Sequence, residues 1–254
     1  MANILYFTVE RGTYGLLNDM RSDSVADAET SYRIATLVAD THLQNAMWAP
    51  TLVRATILSL ERIIASAICR TEGHARRVDF LKVIPSLKHG DVLPSSVGGI
   101  GSVYTESGDG TKDYINRRDP NVIQKLRVPN RIISAASFTP PTDYWGWDGA
   151  RFFCTVTDPT LTVKMEVFDP DFAAIDAFTD YDAPFVVAAP DPDVRVSKLA
   201  QEFELAWACG AAGVLASKVG TFPNEASGYM EMFQSLMAQQ GVKIKVPLDF
   251  TPGE

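Results

Sequence analysis

Seven aspartates, Asp169, Asp171, Asp176, Asp180, Asp182, Asp191 and Asp193, lie between residues 169 and 193 with no lysine or arginine among them. Closely spaced carboxylates supply the oxygen ligands that calcium takes, or a pair of acids for general acid–base catalysis. Their spacing fits no EF-hand, and Pro170, Pro184, Pro190 and Pro192 divide the segment into turns and short strands such as residues 185–187. Nothing in the sequence brings two of these carboxylates into one pocket. A solvated acidic face is therefore the simpler reading, with a metal-dependent or carboxylate-based enzyme as the alternative.

The other candidates for chemistry are weaker. Gly98-Gly99-Ile100-Gly101 neither follows a clear strand nor opens a helix, and no Lys-Ser/Thr follows it as a phosphate loop requires. Asn116-Arg117-Arg118-Asp119 is a compact basic pair that reads as a solvated turn before it reads as a contact for an acidic partner. Tyr144, Trp145 and Trp147 stand in a glycine-containing turn, where aromatics cap a small sheet more simply than they stack on a small molecule or peptide. Cys69, Cys154 and Cys209 are far apart and show no CxxC spacing, which argues for partly buried thiols in a reducing cytoplasm over a disulfide framework or zinc knuckle. His42 reads as a polar residue near a helix end. No catalytic signature emerges, so a non-enzymatic protein without cofactor or metal is expected.

The elements that would position such groups centre on residues 51–72, a stretch without glycine or proline between Pro50 and Gly73. Val53, Ile57, Leu60, Ile64 and Ile68 recur at helical spacing, and Arg54, Glu61 and Arg62 lie off the centre of that stripe, which predicts an amphipathic helix. Residues 24–48 offer a weaker apolar face and complete a helical hairpin, while residues 1–22 read as a docking segment with one or two helical turns at 13–20. Near the other end, Leu199, Phe203, Trp207, Gly210 and Val214 predict a helix with a narrow small-residue side. Gly220 stops it, and Tyr229, Met232, Phe233, Leu236 and Met237 mark the inward face of a returning helix up to Gly241.

Between the hairpins, residues 78–84 read as a strand stopped by Pro85, 151–156 and 160–168 read as a β-hairpin turned at Asp158-Pro159, and Ile132-Ile133 as a further strand. Residues 86–130 are so rich in glycine and proline that they read as an extended arm ordering against a partner. The tail Val242-Lys243-Ile244-Lys245-Val246-Pro247 alternates apolar and basic residues, suiting either strand addition to another chain or return to its own sheet. The predicted fold is α+β, mainly α: a helical bundle of two helical hairpins with an inserted small antiparallel β region and a long extended loop. Its parts are residues 1–75, the β-rich insertion 76–192 with the loop at 86–130, the second hairpin 193–241, and the tail 242–254.

The chain's 254 residues suffice for a substantial core. A net charge of -8 gives no encouragement to a nucleic-acid groove or an anionic membrane surface. No apolar run of about twenty residues predicts a membrane span, and the opening residues carry no secretion signal.

The stretch Ala188-Ala189-Pro190 leading into Ser197-Lys198-Leu199-Ala200-Gln201-Glu202-Phe203, then Ala211-Ala212-Gly213-Val214-Leu215-Ala216-Ser217-Lys218-Val219-Gly220, then Ala226-Ser227-Gly228-Tyr229 with Phe233 to Leu236, resembles the head-to-tail adaptor (connector) proteins of tailed phages, of the tail tubular protein A type. In that family a strand and proline precede a helix rich in small residues, a glycine ends it, and a returning helix carries an aromatic. The likeness is one of layout along the chain. It implies a structural protein of the virion neck, made in the host cytoplasm: a ring of about twelve copies between the portal protein and the tail or nozzle protein. Genomic DNA would pass through without sequence-specific contact, and no membrane would be involved. Another virion structural or ejection protein shares the same profile. Within the adaptor reading, Val97, Ile100, Val103 and Tyr104 of the long loop and Val242, Lys243, Ile244, Lys245, Val246 and Phe250 of the tail are the expected contacts with portal or neighbouring subunit.

Overall fold

A computed structural model describes residues 3–16, 50–127, 143–170, 196–219 and 223–244. The chain divides into two compact units, one made of Met1–Arg76 with Asp171–Glu254, the other of Arg77–Pro170.

The first unit is helix-rich. Strand β1 (Asn3–Leu5) runs antiparallel to β9 (Val196–Ala200). It leads directly into helix α1 (Tyr6–Leu16), which the sequence reading places too late and treats as a docking segment. Helix α2 (Pro50–Arg70), α4 (Glu204–Val219) and α5 (Pro223–Gln239) complete the described helices of this unit. Helix α4 is central, packing against α1, α2 and α5. Its small residues make that possible: a Cβ on Gly210 would stand 3.0 Å from the Phe233 ring, and one on Gly12 of α1 would meet Ala208 at 3.2 Å. Leu199 lies in β9 and Phe203 in a 3-10 turn (Gln201–Phe203), so the helix starts later than its apolar spacing predicts. On α5, Met232 is exposed, and Ala226 and Met230 are buried with Phe233 and Met237. Residues 24–48 lie outside the described residues.

The second unit is β-rich and has its own core. A 3-10 turn (Ala75–Phe80) leads into β2 (Leu81–Leu87), which passes through Pro85 instead of stopping there. That is tolerated because β2 is an edge strand and its register shifts between Ile84 and Leu87. Strands β3 (Gly99–Glu106), β4 (Lys112–Tyr114) and β8 (Thr162–Phe168) join it in an antiparallel sheet of order β2-β8-β3-β4. A second sheet holds β5 (Asn116–Arg117), β6 (Tyr144–Trp147) and β7 (Phe152–Cys154), with β5 parallel to β6. Helix α3 (Pro120–Arg127) packs on β6. Leu87, Leu93, Val97, Val103, Ile115, Trp145, Phe152, Val163, Met165 and Val167 form the common core of both sheets.

This overturns the predicted fold class. The protein is a mixed α/β structure, and the β-rich part is a compact unit with its own apolar core, not a small insertion in a helical bundle. Nor is 86–130 an extended loop, since it contains β3, β4, β5 and all of α3. Its glycines mislead because Gly99 and Gly101 lie within β3, where Gly101 packs at ordinary contact distance, 3.4 and 3.5 Å for an added Cβ, against Phe168 and Glu166 of the neighbouring strand. The expected hairpin of 151–156 with 160–168 also fails. Asp158 does form the turn, accepting from the Thr160 amide at 2.8 Å, yet β7 pairs with β6 while β8 pairs with β2 and β3.

Candidate interaction cleft

Helix α2 is the longest helix described, and its outer face supplies the site. Ile64 and Ile68 turn into the core, while Arg62, Ser66 and Arg70 recur every four residues on another side with Ile63 and Ala67 beside them. The helix ends at Thr71, whose amide and hydroxyl both donate to the Ala67 carbonyl, at 3.0 and 2.8 Å. Gly73 then turns the chain with φ at 77°.

The opposite wall is built by the end of α5. The Val242 amide donates to Met237 O and the Gly241 amide to Ala238 O, both at 2.9 Å, with Gly241 at φ 79°. These are the two bonds of a Schellman cap, whose following residue is normally apolar and buried. Val242 fills that role and is fully buried. His74 joins the two helix ends, its Nε2 lying 2.7 Å from the Gln240 carbonyl oxygen. Lys243 and Ile244 therefore emerge beside α2. Together Arg62, Ile63, Ser66, Ala67, Arg70, Thr71, Lys243 and Ile244 line a cleft of about 540 Å³. Three cationic side chains and two hydroxyls surround an apolar floor, and among the described residues that line it there is no carboxylate.

The expected contact residues separate. Lys243 and Ile244 line the cleft, and Val242 anchors its wall. Lys245, Val246 and Phe250 lie outside the described residues. Val97 and Val103 are core residues of the β-rich unit, and Ile100 packs partly buried against them. Tyr104 is buried beside Tyr114, with Lys112 Nζ 4.7 Å above its ring. Arg62 and Arg70 were missed as site residues, although their four-residue repeat with Ser66 is visible in the sequence once the helix is placed.

The remaining candidates also resolve. Asn116, Arg117, Arg118 and Asp119 are exposed, as the solvated reading expects, but Asn116 and Arg117 form strand β5 and not a turn, and the guanidinium carbons of Arg117 and Arg118 lie 5.6 Å from the Trp145 ring and 5.1 Å from the Tyr144 ring. Tyr144, Trp145 and Trp147 are themselves strand residues, with Trp145 in the core. Asp169 is nearly buried, its Oδ2 3.6 Å from Lys82 Nζ, so it closes the β-rich unit and is no part of a solvated face. The aspartates from Asp171 to Asp193 lie outside the described residues. Cys69, Cys154 and Cys209 are free thiols and fully buried, not partly so, and burial pushes Cys154 and Cys209 up, away from the reactive thiolate. Among the described residues no three His, Cys, Asp or Glu side chains gather as a metal site would need, and no helix is long and apolar enough to cross a membrane.

Beneath the cleft, α2 carries a polar network that its sequence pattern conceals. Arg54 Nε donates to Glu10 Oε1 at 3.1 Å with both side chains almost wholly buried. Among the described residues Glu10 Oε2 has no hydrogen-bond partner. Burial outweighs the attraction of Arg54 and raises the Glu10 carboxyl from 4.5 to about 7. One turn pair further on, buried Glu61 accepts a short hydrogen bond from the Ser197 hydroxyl of β9. The Trp207 indole of α4 donates to the Ile57 carbonyl at 2.8 Å. These bonds fix α2 against α1, α4 and β9, and so fix the direction in which Arg62 and Arg70 point.

No known protein family matches this chain, and no curated protein sequence matches it.

Proposed function

We propose that the chain is a structural adaptor of the tailed-phage neck, working through interfaces and not through catalysis. It assembles in the virion as a ring of about twelve copies between portal and tail and forms part of the wall past which genomic DNA moves. Two lines support this reading. One is the layout resemblance of residues 188–236 to the connector proteins. The other, which carries the proposal, is the cleft: a concave, positively charged surface at the root of the C-terminal tail of an acidic chain, held in place by a helix cap and a buried polar network. An adaptor needs such a shaped, charged surface where a chain end meets a partner.

The decisive experiment is co-expression with the portal protein of the same genome, purification of the portal, and electron microscopy. An added ring at symmetric stoichiometry is expected. A bare portal, with this protein recovered separately and folded, would defeat the adaptor reading.

A further inference from the structure

We infer that the four-stranded sheet carries a self-association surface: β2 of one copy of the chain adds, antiparallel, to β4 of the next. The inference supplies the adaptor reading with a contact between neighbouring subunits, and rests on that reading for its biological setting only.

The backbone at both edges is set for pairing. Among the described residues β2 and β4 are the open ends of the order β2-β8-β3-β4, and the ladder bonds of an antiparallel strand alternate between its two sides. The Asp169 amide donates to the Phe80 carbonyl at 2.9 Å, in the register that sets Leu81 opposite Phe168. Lys82 and Ile84 therefore bond to β8, while the Val83 amide and carbonyl and the Leu81 carbonyl face the open side. At the other edge the Ile115 amide donates to the Val103 carbonyl at 2.9 Å, in the register that sets Tyr114 opposite Tyr104. Asp113 therefore bonds to β3, and the amides and carbonyls of Lys112 and Tyr114 face outward. The side chains here are exposed, Leu81 by 44%, Val83 by 49% and Tyr114 by 66%. An open edge with exposed apolar side chains is a template for another strand.

Topology and charge make a second copy the strand that fits. Neighbouring strands run antiparallel throughout this sheet. With an even number of strands, a second sheet laid beside the first and facing the same way brings its β2 antiparallel to β4. Setting Val83 opposite Lys112 and Leu81 opposite Tyr114 joins them by three bonds: the Val83 amide to the Lys112 carbonyl, the Lys112 amide to the Val83 carbonyl, and the Tyr114 amide to the Leu81 carbonyl. Traced across β8 and β3, Leu81, Val83, Lys112 and Tyr114 share one face of the sheet, and Lys82 and Asp113 share the other. Leu81 then covers the Tyr114 ring, and Lys82 stands directly opposite Asp113, both favourable cross-strand pairs. Lys82 Nζ lies 3.6 Å from Asp169 Oδ2 within its own chain, and an ammonium has three donors, enough for both carboxylates. Pairing β2 with β2, or β4 with β4, in the equivalent register opposes two Lys82 or two Asp113 side chains, which is unfavourable. A contact between unlike edges is head-to-tail, the kind that closes rings.

The test is a cross-link. In this register residues 82 and 113 of neighbouring copies form a non-hydrogen-bonded pair with Cα atoms about 4.5 Å apart, inside the roughly 4.4–6.8 Å that a disulfide spans. Within one chain they stand at opposite edges of the sheet, three strand spacings or about 14 Å apart, so no internal bond competes. The full chain with Lys82→Cys and Asp113→Cys, treated with a mild oxidant both free and in the presence of the portal, should give a ladder of covalent multimers that dithiothreitol collapses. Each single variant should stay monomeric, since the natural cysteines are buried. Separately, Asp113→Lys changes an exposed position and should raise the dissociation constant for self-association about fivefold in sedimentation runs. No ladder, cross-linking of a single variant with itself, or unchanged association of Asp113→Lys would overturn the inference. A decorated portal whose copies do not cross-link defeats this inference alone, and a ladder from protein that leaves the portal bare defeats the adaptor reading alone.

Discussion

The two compact units solve the problem of burial differently. The β-rich unit hides mostly apolar side chains, and its buried carboxylate Asp169 lies at its edge, facing a half-exposed Lys82. The helix-rich unit places a full ion pair, Glu10–Arg54, and a carboxylate–hydroxyl pair, Glu61–Ser197, in its interior. An apolar core is tolerant, because neighbouring side chains can partly close around a loss. A buried charge is not, since removing one partner strands the other away from water. The helix-rich unit should therefore be the more sensitive to single polar substitutions and to pH.

The strongest way to break this comparison is Arg54→Leu. It leaves the Glu10 carboxyl buried without its cation and should cost about 3–5 kcal/mol at neutral pH. Hydrogen exchange should show lost protection in α1, α2 and α4 while β3 and β8 keep theirs. The damage should shrink near pH 5, where the Glu10 carboxyl is already neutral in the folded protein. Equal loss in both units would mean that they unfold as one.

The next effect is the pH dependence of the pair itself. The folded-state pKa of Glu10, about 7, lies above its ordinary value of 4.5. Between these values the folded protein holds a proton that the unfolded chain has released. This contribution is thus fully present below about pH 4.5 and is lost as pH rises through 7. Its size is on the order of 3 kcal/mol at most. Glu10→Gln should flatten this part of the profile in urea titrations run from pH 5 to roughly 8. A variant with the wild-type slope would assign the dependence to other groups.

These interior charges also mark where the sequence could be read and where it could not. The extent of α2 and its apolar stripe are legible because 3.6-residue periodicity is local information, as is the alternation of Val163, Met165 and Val167 on β8. Arg54 and Glu61 look like the solvent side of an amphipathic helix because their partners, Glu10 and Ser197, lie 44 and 136 residues away. No spacing reports such a meeting. The segment 86–130 fails for a related reason: its strands are short, and Gly99 and Gly101 sit in β3, paired with β8, where their glycine content resembles loop composition until the partner strand is known. Half the cleft was accessible from Lys243 and Ile244 in the alternating tail. The other half needed the fold, which brings the end of α2 against the end of α5.

In the β-rich unit the weak point should be steric. A Cβ on Gly146 would stand 2.7 Å from the Arg118 carbonyl oxygen, 2.9 Å from Ile123 Cδ1 and 3.2 Å from the Pro120 nitrogen. Two of these neighbours are backbone, so Gly146→Ala should push α3 away from β6 and cost about 1–3 kcal/mol. The matched change in the helix-rich unit, Gly213→Ala, meets Met230 Sδ at 2.7 Å and Cγ at 2.8 Å, which can swing aside, and the Met230 backbone nitrogen only at 3.2 Å, farther than the 2.7 Å carbonyl contact at Gly146. It should cost less. Denaturation curves of the two variants give the order directly, and the reverse order would show that α4 and α5 yield less readily than the β-rich unit.

The smallest effect sharpens the contrast between buried and exposed charge. Arg76 meets Glu202 through two bonds, Nε to Oε1 at 2.7 Å and Nη2 to Oε2 at 2.6 Å, with both side chains partly in solvent. Those hydrogen bonds hold the Glu202 carboxyl below its ordinary value of 4.5, the opposite direction from Glu10. Its contribution is therefore present above that value and fades as pH falls through the folded-state pKa. Exposure limits the pair to about 0.5 kcal/mol, and screening lowers it further. A double-mutant cycle with Arg76→Ala and Glu202→Ala at low and high salt measures the coupling. A coupling that persists undiminished in high salt would place this pair with Glu10–Arg54 as a shielded contact, and would extend the pH-sensitive interior of the helix-rich unit to the turn that precedes β2.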